Sequence, residues 1–194
     1  MSEATLRIDV LGRGTVGAGL AARWEAAGHD VRLLGRADAV RGDADAVLVA
    51  VPAAAAVAAV ADRAAQLAGR TVVDATNDVS GAIPDLAGAI AAAAPDAHVT
   101  KAFNTVFARL YDAIAAHPGR ADMAWCGDDP QARATTERLV RDAGFRPVDC
   151  GPLAAAPDLE GFARLVIRTA YAVGRGPFAY RFDAPAVLPE SGAA

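Results

Sequence analysis

Short apolar runs alternate along the chain with longer stretches in which apolar residues recur every three or four positions. The first pattern predicts strands and the second amphipathic helices. Strands are expected over residues 6–11, 30–34, 46–51, 71–75, 98–103, 123–126 and 147–150. A helix is expected to end near residue 27, and others over 53–67, 84–93, 105–116, 130–143 and 158–173. In the first helix Val16, Leu20 and Trp24 share one face and Gly28 supplies the stop. The run from Ala46 to Val51 has no polar alternation, as in a strand covered on both faces. Strands separated by helices imply right-handed crossovers and an α/β, doubly wound, mostly parallel sheet in a single domain, with a C-terminal helix and tail. The domain is expected over residues 1–178 and the tail over 179–194.

The 194-residue length suits one such domain. The formal charge is −4, with both signs interspersed, so the basic face of a nucleic-acid binder is missing. The longest apolar stretch, Ala46 to Ala61, is too short for a membrane span and contains Pro52. The N-terminal residues lack the layout of a signal peptide, and no membrane partner is expected. Cys126 and Cys150 are far apart with no metal-ligand spacing, which argues against a disulfide framework or a metal site and fits a reducing cytoplasm.

Alanine makes up about a quarter of the chain and arginine outnumbers lysine eighteen to one. Against that background the rare residues stand out. The single lysine, Lys101, and the only two asparagines, Asn77 and Asn104, all fall at the ends of expected strands.

The run Gly12-Arg13-Gly14-Thr15-Val16-Gly17 follows the first strand and opens the first helix, the context in which three glycines read as a dinucleotide fingerprint. Gly12 permits the tight turn, Gly14 lets backbone approach a pyrophosphate, Gly17 lets helix pack on strand, and the helix N-terminus attracts phosphate. The second strand ends in Gly35-Arg36 rather than in the acid that holds an NAD ribose. A guanidinium there favours NADP(H), with Arg13 and Arg41 as further contacts for a 2′-phosphate; an ordinary surface arginine is the alternative. In an open parallel sheet the ligand lies beyond the carboxyl ends of the strands. This brings in Ala50-Val51-Pro52, Thr76-Asn77, and Phe103-Asn104. The amides could hydrogen-bond a carboxamide or ribose, or could simply close turns and cap helices; Phe103 could offer a flat face to a ring.

Acid–base candidates are weak. His29, His98 and His117 all lie away from strand carboxyl ends, and Asp128-Asp129 precede Pro130 as a helix start. No nucleophile elbow is present. Thus no catalytic side chain is expected, and hydride transfer between two cofactors can proceed without one.

These motifs, in order, resemble the NADP oxidoreductase family dependent on coenzyme F-420, an 8-hydroxy-5-deazaflavin. The landmarks are Gly12 to Gly17, Gly28-His29-Asp30-Val31, Ala50-Val51-Pro52, Val73-Asp74-Ala75-Thr76-Asn77, Lys101-Ala102-Phe103-Asn104-Thr105, Cys126-Gly127-Asp128-Asp129, and Gly151-Pro152-Leu153 with Glu160. The resemblance implies hydride exchange between NADP(H) and coenzyme F-420 held face to face. The dinucleotide would lie along Gly12 to Val16, Gly35-Arg36 and Val51-Pro52, and the rings would meet by Thr76-Asn77 and Phe103-Asn104. It also implies a homodimer covering the ring pocket. The Lys-Ala-Phe-Asn-Thr run is similar to the cytoplasmic domains of membrane metalloreductases, which reduce a flavin. The chain departs from the pattern in three places. Only nine residues separate Arg36 from Ala46, where the family inserts a helix or strand; Arg13 replaces a small residue; Asp78 replaces a proline. Two other readings are an NADPH-dependent reductase of a small organic substrate, which needs a proton donor, and a non-catalytic dinucleotide-binding sensor or accessory protein.

Overall fold

A computed structural model describes residues 4–183. Seven strands form one sheet in the order β2-β1-β3-β4-β5-β6-β7. They are β1 (Arg7–Leu11), β2 (Asp30–Leu34), β3 (Ala46–Val49), β4 (Thr71–Asp74), β5 (His98–Lys101), β6 (Asp122–Gly127) and β7 (Arg146–Asp149). β1 to β5 run parallel, β6 runs against β5, and β7 is parallel to β6. Helices α1 (Thr15–Ala26), α2 (Ala53–Ala61), α3 (Ala64–Leu67), α4 (Leu86–Ala93), α5 (Tyr111–Ala115), α6 (Pro130–Asp142) and α7 (Ala156–Tyr171) cover the faces.

Burial on both faces follows from the apolar strands. On β3, Ala46 and Leu48 enter a core shared with Leu20 and Trp24 of α1 and with Leu139 of α6. Val47 and Val49 point the opposite way, into a core with Ala56 and Val60 of α2 and Ile90 of α4. Period-two side-chain alternation thus divides one strand between two layers. Trp24 Nε1 also donates to the Leu139 carbonyl at 2.9 Å, satisfying its polar edge inside the core.

Three expectations are corrected. The helix expected over 53–67 breaks into α2 and α3 at Asp62-Arg63, because Arg63 at φ −120° leaves helical geometry. The helix expected over 105–116 begins later, with a short 3-10 turn at Ala108–Leu110 before α5. Residues 102–107 are instead an irregular loop in which Phe103 adopts φ 64°, a rare conformation for a non-glycine residue. Finally, residues 179–183, read from the sequence as part of the tail, lie against the domain. The Tyr180 carbonyl accepts from Asp122 N at 3.0 Å, and Phe182 N donates to Asp122 Oδ2 at 2.5 Å. The Tyr180 ring packs edge-on against Phe162 of α7, 4.8 Å between centroids. The rest of the expected tail, 184–194, lies outside the described residues.

Candidate functional site

The strand order reverses at β1, which lies between β2 and β3, and the carboxyl ends of these strands diverge into a crevice. A cavity of about 430 Å³ opens there. Gly12 and Arg13 line it from the loop after β1, Gly35 and Arg36 from the end of β2, and Val51 and Pro52 from the end of β3. Ala55, Ala58, Ala59, Asp62 and Arg63 complete it from α2 and the helix break. On the other side of the glycine loop is a smaller cavity of about 170 Å³. Its lining includes Val16, Asn77, Asn104 and Thr105, with Phe107 from the following loop and Ala163, Val166 and Ile167 from α7. The loop and the first turn of α1 run between the two cavities.

Each glycine of the loop has a separate steric task. Gly12 has φ 116°, and a Cβ there would collide with the Ala50 carbonyl, so this position needs glycine for both conformation and space. A Cβ at Gly17 would strike the Gly12 carbonyl and crowd Val10, so its absence sets the approach of α1 to β1. Around Gly14 the space is open. Gly14 is also the N-cap of α1, with no side-chain cap and no acidic residue in the first turn. The amides and the positive end of the helix dipole therefore face open space, as an anion site requires. Thr15 is exposed beside them. These features fit a pyrophosphate.

The end of β2 is a turn fixed from below. Arg63, itself buried, donates to the Arg36 carbonyl at 2.6 Å and the Asp38 carbonyl at 3.2 Å. The Arg36 side chain is exposed and, among the described residues, forms no ion pair. Arg13 is paired with Asp38 at 2.7 Å. Arg41, expected as another phosphate contact, turns away instead. It donates to Asp9 Oδ1 at 2.7 Å and Asp30 Oδ2 at 2.5 Å. Asp9 is a fully buried acid on β1, and its charge attracts the guanidinium beneath the sheet.

Beyond β4 and β5, Asn77 and Asn104 are joined reciprocally. Asn104 Nδ2 donates to Asn77 Oδ1 at 3.1 Å, and Asn77 Nδ2 donates to the Asn104 carbonyl at 2.5 Å. Asn104 Nδ2 also donates to the Leu159 carbonyl on α7 at 3.2 Å, while its buried Oδ1 has no partner. Beneath the pair, the Lys101 ammonium lies 2.7 Å from Asp74 Oδ2, 2.7 Å from the Thr76 carbonyl and 3.1 Å from Glu160 Oε1. Thr76 N and Oγ1 donate to the other Asp74 oxygen at 2.8 and 2.6 Å. All three charged side chains are at most 1% exposed. Thr76 thus supports the site through Asp74 and does not line either cavity. Ala50, half-buried, shapes the loop through its carbonyl.

Phe103 does not offer its ring to a ligand. The side chain is 1% exposed and packs edge-on against Trp24 and Phe145, with centroids 5.7 and 6.4 Å apart. Positive φ at this residue turns the ring into the core while the chain continues to Asn104 at the cavity.

His29 and the Asp128-Asp129 pair have structural tasks. His29 Nδ1 accepts from Leu6 N, and Nε2 lies 2.8 Å from Asp142. Asp129 caps α6 through Ala132 N, and Asp128 accepts from Leu153 N. Burial pushes the Cys126 thiol up to about 12, and burial also raises Cys150, so neither supplies thiolate at neutral pH. Among the described residues no group of three or more His, Cys, Asp and Glu side chains is arranged to hold a metal ion. No described helix is long and apolar enough to cross a membrane.

The fold is Rossmann-like. It superposes on a crystal structure from Arthrobacter sp. FB24, provisionally described as an F-420-dependent NADP-reductase, with a TM-score of 0.78 and 27% identity over 92% of this chain and 100% of that one. A reductive aminase of Aspergillus terreus, in complex with NADPH and ethyl levulinate, shares the fold at 17% identity, covering 88% of this chain and 64% of that one with a TM-score of 0.67. Among curated proteins, the metalloreductase STEAP3 of Rattus norvegicus is 35% identical over 71 residues. That match spans 37% of this chain and 14% of the rat protein. No family model matches the chain.

Reasoning from sequence missed Asp62 and Arg63, since they lie in a helix read as continuous. It also missed the α7 side chains of the inner cavity, whose helical spacing reads equally well as core. The scarcity of lysine singled out Lys101, but its partnership with Glu160 has no signature in spacing.

Proposed function

We propose that the protein is an NADP(H)-dependent oxidoreductase that transfers a hydride between nicotinamide and a deazaflavin, coenzyme F-420, or a flavin. Adenosine and its phosphates belong in the outer cavity, the pyrophosphate at Gly14 and the α1 N-terminus, and nicotinamide in the inner cavity beside Val16, Asn77 and Asn104. The likenesses to reductases and the uncapped glycine loop support the dinucleotide. The observation that carries the reaction class is the lining of the inner cavity, whose polar side chains are Asn77, Asn104 and Thr105 with apolar residues around them. Carbonyl or imine reduction needs a proton donor at the reacting centre. The Thr105 hydroxyl is buried and engaged with Tyr180 Oη at 2.5 Å, so the amides that orient a carboxamide leave hydride exchange between rings as the chemistry the lining serves.

When bound, the dinucleotide supplies the hydride and its electron pair. The protein's own residues then act by position. The helix terminus binds phosphate, Arg36 binds the 2′-phosphate, and the asparagine pair, tied to α7 at the Leu159 carbonyl, fixes the ring plane. The second ring enters from the open side next to α7. There Leu165 and Tyr171 are exposed apolar residues, and a second copy of the chain covers the pocket in our reading.

Anaerobic NADPH consumption tests the proposal, with coenzyme F-420, flavin mononucleotide and flavin adenine dinucleotide as parallel acceptors and NADH as the control donor. NADPH-selective reduction of one of these acceptors is expected, and Arg36→Glu should abolish the preference for NADPH over NADH. Turnover only with organic carbonyls or imines, or NADPH binding with no turnover, would overturn the assignment.

A further inference from the structure

Two residues that line the outer cavity already hold an anion between them. One carboxylate oxygen, Asp38 Oδ2, accepts from Gly35 N at 2.7 Å and from Arg13 Nη2 at 2.7 Å. Both donors belong to the cavity lining. Gly35 closes β2, where a dinucleotide-binding sheet presents its group to the adenosine ribose. An oxygen bound by a backbone amide and one guanidinium N–H is in the environment a phosphate oxygen selects. The turn that carries Asp38 is held by Arg63 through two backbone carbonyls. The Asp38 side chain itself is 46% exposed, and that of Arg13 61%. The carboxylate can therefore rotate into solvent while the turn stays fixed.

We propose that Asp38 is a specificity-determining residue, an internal anion that occupies the 2′-phosphate position in the free protein and must be displaced when NADP(H) binds. The inference rests on the NADP(H) reading above and adds a competitor to it. In the free protein the Asp38 carboxylate neutralises Arg13 and satisfies Gly35 N. The incoming phosphate takes over both donors, gains exposed Arg36, and repels the carboxylate it displaces. An unphosphorylated ribose does not displace the acid, so Asp38 weakens the binding of NADPH and leaves that of NADH as it is.

Direct binding of NADPH and NADH to the full-length protein, read by nicotinamide fluorescence, tests this in the wild type, Asp38→Asn and Asp38→Ala. Asparagine keeps the size and an acceptor oxygen for Gly35 N while removing the charge, so it separates charge from geometry; circular dichroism checks the fold of each variant. Both variants should bind NADPH about three- to tenfold more tightly, the scale of a released surface ion pair plus relieved like-charge repulsion, with NADH affinity unchanged. Adenosine 2′,5′-bisphosphate should gain by the same factor and adenosine 5′-monophosphate should not. Unchanged or weaker NADPH binding in both variants overturns the role of Asp38, while a wild-type preference for NADPH in that result leaves the proposed function standing. A wild type that prefers NADH and loses it on Asp38→Asn makes Asp38 a ribose-hydroxyl acceptor and overturns both.

Discussion

Lys101 is fully buried between the Asp74 and Glu160 side chains and the Thr76 carbonyl, so that removing it strands two acidic side chains in the interior. The residue links three parts of the chain. Asp74 ends β4 and Thr76 follows it, Lys101 itself ends β5, and Glu160 comes from the first half of α7. The asparagines above are consequently held to the sheet on one side and to the helix on the other. Replacing Lys101 with Met leaves two carboxylates buried without a cation. We expect a loss of about 3–5 kcal/mol of stability, measured by urea unfolding, and a smaller loss when Asp74→Asn is combined with it. At this scale the sequence revealed its exceptional residues through rarity, since one lysine and two asparagines at strand ends are conspicuous in an alanine-rich, arginine-rich chain. It concealed the rotation of Phe103, because a positive φ at a single residue decides whether its ring faces a ligand or Trp24.

Among the elements, the connection between β2 and β3 shows how a short segment can be rigid without regular structure. Residues 35–45 contain neither helix nor strand, yet side chains from the surrounding elements hold their backbone. Arg70 donates to the Ala44 carbonyl at 2.6 Å and the Gly42 carbonyl at 2.5 Å, Gln66 accepts from Val40 N at 2.8 Å, and Arg63 grips the turn at Arg36. Asp9 fixes the middle. Burial would raise its carboxyl, but hydrogen bonds from Arg32 and Arg41 outweigh burial and hold it below the ordinary value of 3.8. A depressed carboxylate stabilises the fold fully above that ordinary value and loses the contribution as pH falls through the folded-state value. Accordingly Asp9→Asn should be less stable than wild type at pH 7, and the difference should shrink as pH drops below about 4. Urea midpoints from pH 7 to pH 3 check this; a difference constant with pH would remove Asp9 ionisation from the account. The sequence placed every strand of the sheet within a few residues because apolar runs between glycines and helices have few other solutions. It misplaced helix ends around Arg63 and Thr105, where tertiary hydrogen bonds outcompete local propensity.

At the scale of the molecule, four of the six large apolar side chains left exposed among the described residues lie on α7 or in the chain that follows it. Leu165 is 58% exposed, Tyr171 60%, Val173 69% and Phe182 51%. Leu165 and Tyr171 lie on the helix that walls the inner cavity, so in the homodimer reading a second chain packed on α7 would bury apolar surface and shield the rings from water together. The expected mass in solution is twice that of the chain. Leu165→Arg should shift it to the monomer, with NADPH binding retained in the outer cavity and acceptor turnover reduced at least tenfold on the scale of a lost positioning contact. Light scattering and the acceptor assay measure the two effects; a monomeric wild type with full turnover would separate assembly from function.

The sequence by itself determined the alternation of strands and helices, the two-faced burial of the sheet, and the glycine loop at the switch point, because all of these depend on local periodicity and on backbone freedom at single positions. It also pointed to the part of the outer cavity built from strand ends, Gly12-Arg13, Gly35-Arg36 and Val51-Pro52, since the ends of consecutive parallel strands must meet at one edge. Only the tertiary structure decided that β6 would run against β5, that Tyr180 would be tied to Asp122 and Phe162, and that Glu160 would reach Lys101. It likewise turned Arg41 toward Asp9 and placed the Asp38 carboxylate on Arg13. These outcomes depend on charges and aromatic rings distant in sequence, whose pairing is chosen by shared burial after the strands have assembled.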